Sequence, residues 1–288
     1  MLFYLQRPPF WLGLAYVLTV FVVFYQRFIL ALHFASHRAL FASPLFDRYL
    51  QYVLCPFFGL PSGAYRSHHV VMHHVENNIF PYDVSATMNY SRGQFTHFLS
   101  YWLRYMLAIW FQLPYYLYFR QRYHLLAHTL AALTSYLLAT AYLLSTPTTA
   151  LPTLYIFVIP FLLSSFLLML GNWSQHIFVD PARPTSSYAL TYNIINSPMN
   201  QLTFNDGYHV VHHIHSQLHW SELPEYFAKN TEKFEESLTF KDVDFVEVGI
   251  SVFLGRWEYL AGKFVRLGEK KKSDAEVIEM LKGWLVPI

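Results

Sequence analysis

The sequence predicts an all-α fold: an integral-membrane helical bundle of about three full spans plus interfacial helices, topped by a cytosolic helical cap. Three observations carry that prediction. Apolar residues make up 54% of the chain and charged residues only 13%, about half the roughly 25% charged share of soluble globular proteins. Long stretches lack Asp, Glu, Lys and Arg, and one of them runs unbroken from Tyr123 to Val179. Histidines cluster near the ends of the predicted spans, and the spans lack ionisable groups at mid-depth apart from His128, which lies near one end. The net charge of +2 and the scattered Lys and Arg residues argue against nucleic acid as a partner. The one basic run, Lys270–Lys272, reads as a solvated face. A single cysteine, Cys55, excludes an intramolecular disulfide and a cysteine-built zinc or iron–sulfur site.

Taken in order, the chain opens with an apolar stretch too long for a secretory signal and without its cleavage site, which predicts a retained anchor. A helix of about 20 apolar residues crosses a bilayer, so residues 11–32 form the first predicted span, with Arg27 snorkelling to headgroups. The helix continues into HFASH, where His33 and His37 stand four apart on one face. Residues 49–65 are apolar but broken by Pro56, Gly59, Pro61 and Gly63, which predicts a re-entrant or interfacial piece. It leads into SHHVVMHH, with His69 and His73 four apart and His74 one step round the helix. His68 points off that face and is expected beside the ligands or at the surface. Glu76, Asn77 and Asn78 follow as candidates to orient imidazoles through their other N–H.

Residues 98–119, rich in Trp and Tyr and carrying Arg104, suit the headgroup level. Residues 125–145 and 151–171 each have the length of a span and are separated by the turn-forming STPTT at Ser145–Thr149, a helical hairpin. NWSQH then places Asn172 and His176 four apart as the last span emerges. The cap, 172–288, contains NDGYHVVHHIHSQLHW, in which His209, His212 and His213 stand at i, i+3 and i+4. His215, His219 and Asp206 are expected beside those ligands and not among them; 221–288 holds apolar patches without an interpretable motif. The whole chain, 1–288, reads as one domain.

All clusters share one membrane side only if residues 98–119 do not cross. Three spans are therefore expected, with the amino terminus outside and Arg38, Arg48, Arg66, Arg92, Arg120 and Arg122 cytoplasmic, in keeping with the uncharged STPTT turn outside. Nine imidazoles, His33, His37, His69, His73, His74, His176, His209, His212 and His213, with the oxygen of Asn172, exceed the needs of one metal. They suit a histidine-rich di-metal site with open positions. Imidazole serves iron, zinc, copper and nickel alike. A ferritin-like carboxylate site needs a Glu-x-x-His pattern that the chain lacks.

HFASH, HHVVMHH, NWSQH and HVVHH, in this order around apolar segments, resemble the histidine boxes of the integral-membrane fatty acid desaturase and hydroxylase superfamily, from about His33 to Trp220. The resemblance implies two iron ions on the cytosolic ends of membrane helices, with oxygen as co-substrate and two electrons spent on an unactivated C–H bond of an acyl chain. HFASH carries over His33 and His37; HVVHH carries over His209, His212 and His213. NWSQH is similar to an Asn-x-x-x-His element of acyl-CoA desaturases and implies Asn172 and His176. In the second box, His73 and His74 carry over directly; the family's His-x-x-His-His has Val70 at its first position here, and His69 is the nearest histidine. The family commonly has two spans before the first box, and this chain shows one.

The expected activity is desaturation of a lipid-, CoA- or carrier-linked fatty acyl chain, with hydroxylation on the same scaffold as the alternative. The lipid bilayer is the other expected partner. Neither a haem-binding His-Pro-Gly-Gly motif nor a Rossmann glycine pattern occurs, so electrons are expected from a separate donor such as cytochrome b5 or a ferredoxin. The implied location is the endoplasmic reticulum membrane in a eukaryote or the inner membrane in a bacterium, with the metal site facing the cytosol. A membrane metal transporter would place ionisable ligands at mid-depth, where only His128, near a span end, occurs. A zinc-dependent lipid hydrolase would use about three ligands and leave most of these histidines unexplained.

Overall fold

The computed structural model describes residues 1–268 and 272–288. Lys270 and Lys271, two thirds of the basic run read as a solvated face, lie outside the described residues. The chain divides into two compact units, Met1–Met72 with Ala108–Leu168, and His73–Leu107 with Met169–Ile288.

In the first unit, α1 (Phe10–His37) is one helix of 28 residues, five longer at its carboxyl end than the predicted span. It holds a π-helical turn at Thr19–Phe24. The extension buries His33 and His37 while much of the apolar segment before it faces outward. That distribution, apolar outside and polar inside, is what a helix surrounded by lipid requires. Next, α2 (44–58) passes from α-helix through a π turn to a 3₁₀ end at Gly59. Gly59 has φ +77°, and a Cβ there would lie 2.3 Å from the backbone nitrogen of Phe161, so only glycine fits this close approach. The expected irregular piece is therefore a helical segment packed on the hairpin. Phe28, Leu32, Cys55 and Tyr65 form the local core, with Phe28 stacked on Phe58 at 3.8 Å. Burial pushes the Cys55 thiol up to about 12, which leaves it unreactive.

Helix α3 (64–76) carries the second histidine run, with a π turn at His69–His73. Helix α4 (Phe95–Phe119) is 25 residues long and accommodates Pro114. Helices α5 (Tyr123–Ser145) and α6 (Ala150–Gln175) flank the STPTT turn and, with α1, are the helices among the described residues long and apolar enough to cross a membrane. The hairpin is closed by Tyr136, whose hydroxyl donates to the carbonyl of Phe157 at 3.0 Å, and by Thr149, which donates to Leu143 at 2.6 Å. The protein is thus an integral membrane protein, mainly helical.

The second unit contains what periodicity did not predict, a small parallel sheet. β1 (Tyr192–Ile195) is followed by α7 (Pro198–Leu202) and α8 (His209–Ile214), then α9 (Leu223–Lys229). β2 (Leu238–Lys241) pairs with β1 in register Tyr192 to Leu238. α10 (Phe245–Phe253), α11 (Trp257–Lys263) and α12 (Asp274–Gly283) complete the unit. The sheet is buried among aromatics: Tyr192 lies 5.3 Å from Phe240 and 5.1 Å from Phe245, and Phe178 lies 5.8 Å from Tyr192. A second aromatic group, Tyr101, Trp173, Phe98 and Tyr90, packs at 5.1–5.9 Å around Trp173.

Arg92, expected on the cytoplasmic side, is fully buried. Its guanidinium donates to the carbonyls of Ile177, Met88, Trp284 and Val286 at 2.8–3.0 Å, joining the 88–92 loop, the end of α6 and the 284–286 segment. Burial lowers it to about 10, so it stays charged at neutral pH. A planar fork with five donors can satisfy several carbonyls at once, which explains how an arginine is accommodated in this buried position.

Candidate metal centre

Within the first unit, α1 and α3 bring His33, His37 and His69 together. Their ring centroids are 4.4–5.4 Å apart, and one donor nitrogen from each lies within 4.8 Å of the others. All three side chains are buried. Tyr65 stacks on the His69 ring at 5.3 Å and an interplanar angle of 18°. Gln51 donates to the carbonyl of Ala35 at 3.2 Å, bracing the last turn of α1.

In the second unit, His73, His176 and His213 likewise offer nitrogens within 4.8 Å of one another. His209 lies 5.6 Å from His176 and 4.9 Å from His213, centroid to centroid. His74 stacks on His213 at 4.6 Å, and its Nε2 stands 3.1 Å from Nε2 of His212. The expectation that His69 and His73 act from one helical face is therefore refined: across the π turn, His69 joins His33 and His37, while His73 joins His176 and His213. Such turns recur at functional sites because they re-aim side chains within a helix.

Two of these imidazoles have their tautomer fixed by groups that can only accept. The Nδ1–H of His73 donates to Asp83 Oδ2 at 2.7 Å, and that of His176 donates to the carbonyl of Leu190 at 3.0 Å. Each therefore turns Nε2 toward the cluster as a lone pair, the arrangement common to metal-bound histidine. His176 Nε2 and both ring nitrogens of His213 are sealed from solvent and have no hydrogen-bond partner among the described residues. Leaving a buried polar atom in that condition costs roughly 1–3 kcal/mol, a cost that coordination of a metal ion would remove. Burial, reinforced by the neighbouring histidines, holds His176 and His213 well below the usual imidazole range. They are neutral at neutral pH, the form that ligates. The donor set fits a divalent transition metal.

The short helix α8 owes its placement to β1. Asn193 Oδ1 accepts the N–H of Val210 at 3.1 Å, satisfying a helix-start donor. Gly207, in NDGYH, is needed for close approach: a Cβ would fall 2.3 Å from Asn200 Oδ1 and 2.6 Å from the carbonyl oxygen of Ile194. Asp206 Oδ1 lies 3.6 Å from His209 Nδ1, and its Oδ2 accepts from Gln175 at 2.8 Å. Asp206 thus stands beside His209, the position read for it in the sequence.

Asn172 donates from Nδ2 to the carbonyl of Ser85 at 3.0 Å and to the Tyr101 hydroxyl at 2.7 Å. Its amide oxygen is the atom left to ligate. His215 and His219 depart from expectation: His215 bonds Tyr226 at 2.7 Å, and His219 caps the turn at Trp220–Glu222 through Ser221. Asn78, expected to orient an imidazole, exchanges hydrogen bonds with Thr87. His68 is buried in α3. Asp83, Tyr101 and Asn193 were missed by sequence reasoning. An Asp two residues before a Ser signals a local turn, but nothing in the spacing joins Asp83 to His73.

The Fatty acid desaturase family model matches residues 9–243. The chain belongs to the fatty acid desaturase family. All ten candidate ligands of this desaturase-family protein fall inside the matched region. Membership brings desaturase- or hydroxylase-type lipid oxygenase chemistry, an oxidoreductase activity on a lipid substrate in the bilayer. No curated protein and no solved structure matches the chain significantly.

Proposed function

We propose that the protein desaturates a fatty acyl chain at a histidine-ligated di-iron centre. In the net reaction two adjacent methylenes each lose one hydrogen, a separate donor supplies two electrons and the medium two protons, and oxygen leaves as two waters. The irons would supply the oxidising power to break an unactivated C–H bond. One would be held by His33, His37 and His69, and the other by His73, His176 and His213. His74, His209 and His212, with Asn172 through its amide oxygen, are proposed as further ligands.

The residues of the chain do the positioning. Asp83 and the Leu190 carbonyl hold protons on Nδ1 of His73 and His176, so Nε2 stays available throughout turnover. Burial keeps His176 and His213 neutral and shields their nitrogens from bulk water, which limits loss of oxidant to side reactions. The observation that carries this reading is the sealed Nε2 of His176 with both ring nitrogens of His213, none hydrogen-bonded among the described residues, in a chain of this family.

The donor is proposed to be a small electron carrier such as cytochrome b5 or a ferredoxin. The histidines are proposed to face the cytosol, supported by Arg38, Arg48, Arg66, Arg120 and Arg122 against the uncharged STPTT turn. Residues 98–119 are proposed to lie in the interface and 172–288 to form the cytosolic cap of one domain.

Expression in a host of known lipid composition, followed by mass spectrometry of the acyl chains, tests the reaction. Products two hydrogens lighter than a host lipid are expected. Products carrying an added oxygen would assign the same scaffold to hydroxylation and overturn the desaturase reading.

A further inference from the structure

Asp83 is fully buried, and both oxygens of its carboxylate accept hydrogen bonds. Oδ1 accepts the backbone N–H of Ser85 at 2.8 Å and the Ser85 hydroxyl at 2.7 Å, while Oδ2 accepts from His73. The local turn therefore fixes which oxygen faces the imidazole. The rest of the segment is tied to the same cluster: Thr87 donates to the carbonyl of His176 at 3.0 Å, and Arg92 pins the loop to Ile177. The Ser85 carbonyl, finally, takes the amide of Asn172.

The geometry points to Asp83 as the positioning residue of the second histidine group, the acceptor that keeps the His73 proton on Nδ1 and so keeps Nε2 open to the metal. This rests on the metal-centre reading above. The two Ser85 donors give the role a distinctive consequence. In Asp83→Asn the amide oxygen would stay with Ser85, and the NH2 group would face His73. Nδ1 would then have to accept, the proton would move to Nε2, and the ligating lone pair would be lost. A side chain of nearly unchanged shape would be more damaging than a truncated one, because in Asp83→Ala a water can take the His73 proton, though it holds that tautomer less firmly than the carboxylate does.

Full-length protein in detergent, with ferrous iron as the probe and a competing chelator, reads the effect. Asp83→Asn is expected to weaken iron binding at this group about 10–100-fold, Asp83→Ala by less, and the exposed Glu225→Gln not at all. The unfolding temperature of iron-free Asp83→Asn should match that of the unaltered protein, since the shape is conserved. Unchanged iron affinity in Asp83→Asn, or a smaller loss than in Asp83→Ala, overturns the proposal. If the isostere does not fold, Asp83→Ala decides alone, and full affinity there overturns it. Unaltered protein that binds no iron sinks the metal-centre reading itself, a separate result from a binding protein indifferent to Asp83.

Discussion

An imidazole ligates through one nitrogen, so whatever holds the other nitrogen decides whether the ligand is ready. His73 and His176 are held by a carboxylate and a carbonyl, both obligate acceptors, and His213 is held by burial alone. His213→Ala should abolish product formation and lower bound metal, whereas His124→Ala, on the exposed start of α5, should leave both intact; product yield and metal content in membranes check this. Gly207→Ala would push a methyl group into the Ile194 carbonyl. Overpacking of that kind costs about 1–3 kcal/mol, to be read as a lower unfolding temperature with reduced metal content. The proposed ligands could be named from the sequence because coordination demands particular residue types at helical spacing. Asp83 and Asn193 were not, since each reaches its partner through a loop or strand whose path only the fold determines.

At the scale of elements, α8 is six residues long, too short to persist as an isolated helix. It depends on β1 for its cap and on the narrow passage at Gly207. The four-residue strands were invisible to periodicity, being brief, parallel and more than forty residues apart in sequence. The spans were legible, because an uncharged run of span length has few alternatives to a transmembrane helix. Only their ends moved, with α1 running on to His37 and α6 to Gln175. The hairpin of α5 and α6 gives a topological prediction. A reporter inserted in Ser145–Thr149 should mark the membrane side opposite to one fused after Ile288. The same side for both would refute the proposed orientation.

At the scale of the whole molecule, three helices long and apolar enough to cross a membrane, two groups of buried imidazoles and membership of the fatty acid desaturase family converge on one chemistry. Composition alone had pointed to a membrane protein before any contact was known. Neither composition nor fold selects the acyl substrate, because head-group and chain-length preference follow from the shape of the lipid-binding surface and not from the ligand set. The central claim is that these histidines hold two irons, and metal analysis of the purified protein tests it most directly. The account predicts about two irons per chain, ten nitrogen and oxygen donors being enough for two sites with open positions. A single zinc, with no iron, would contradict it.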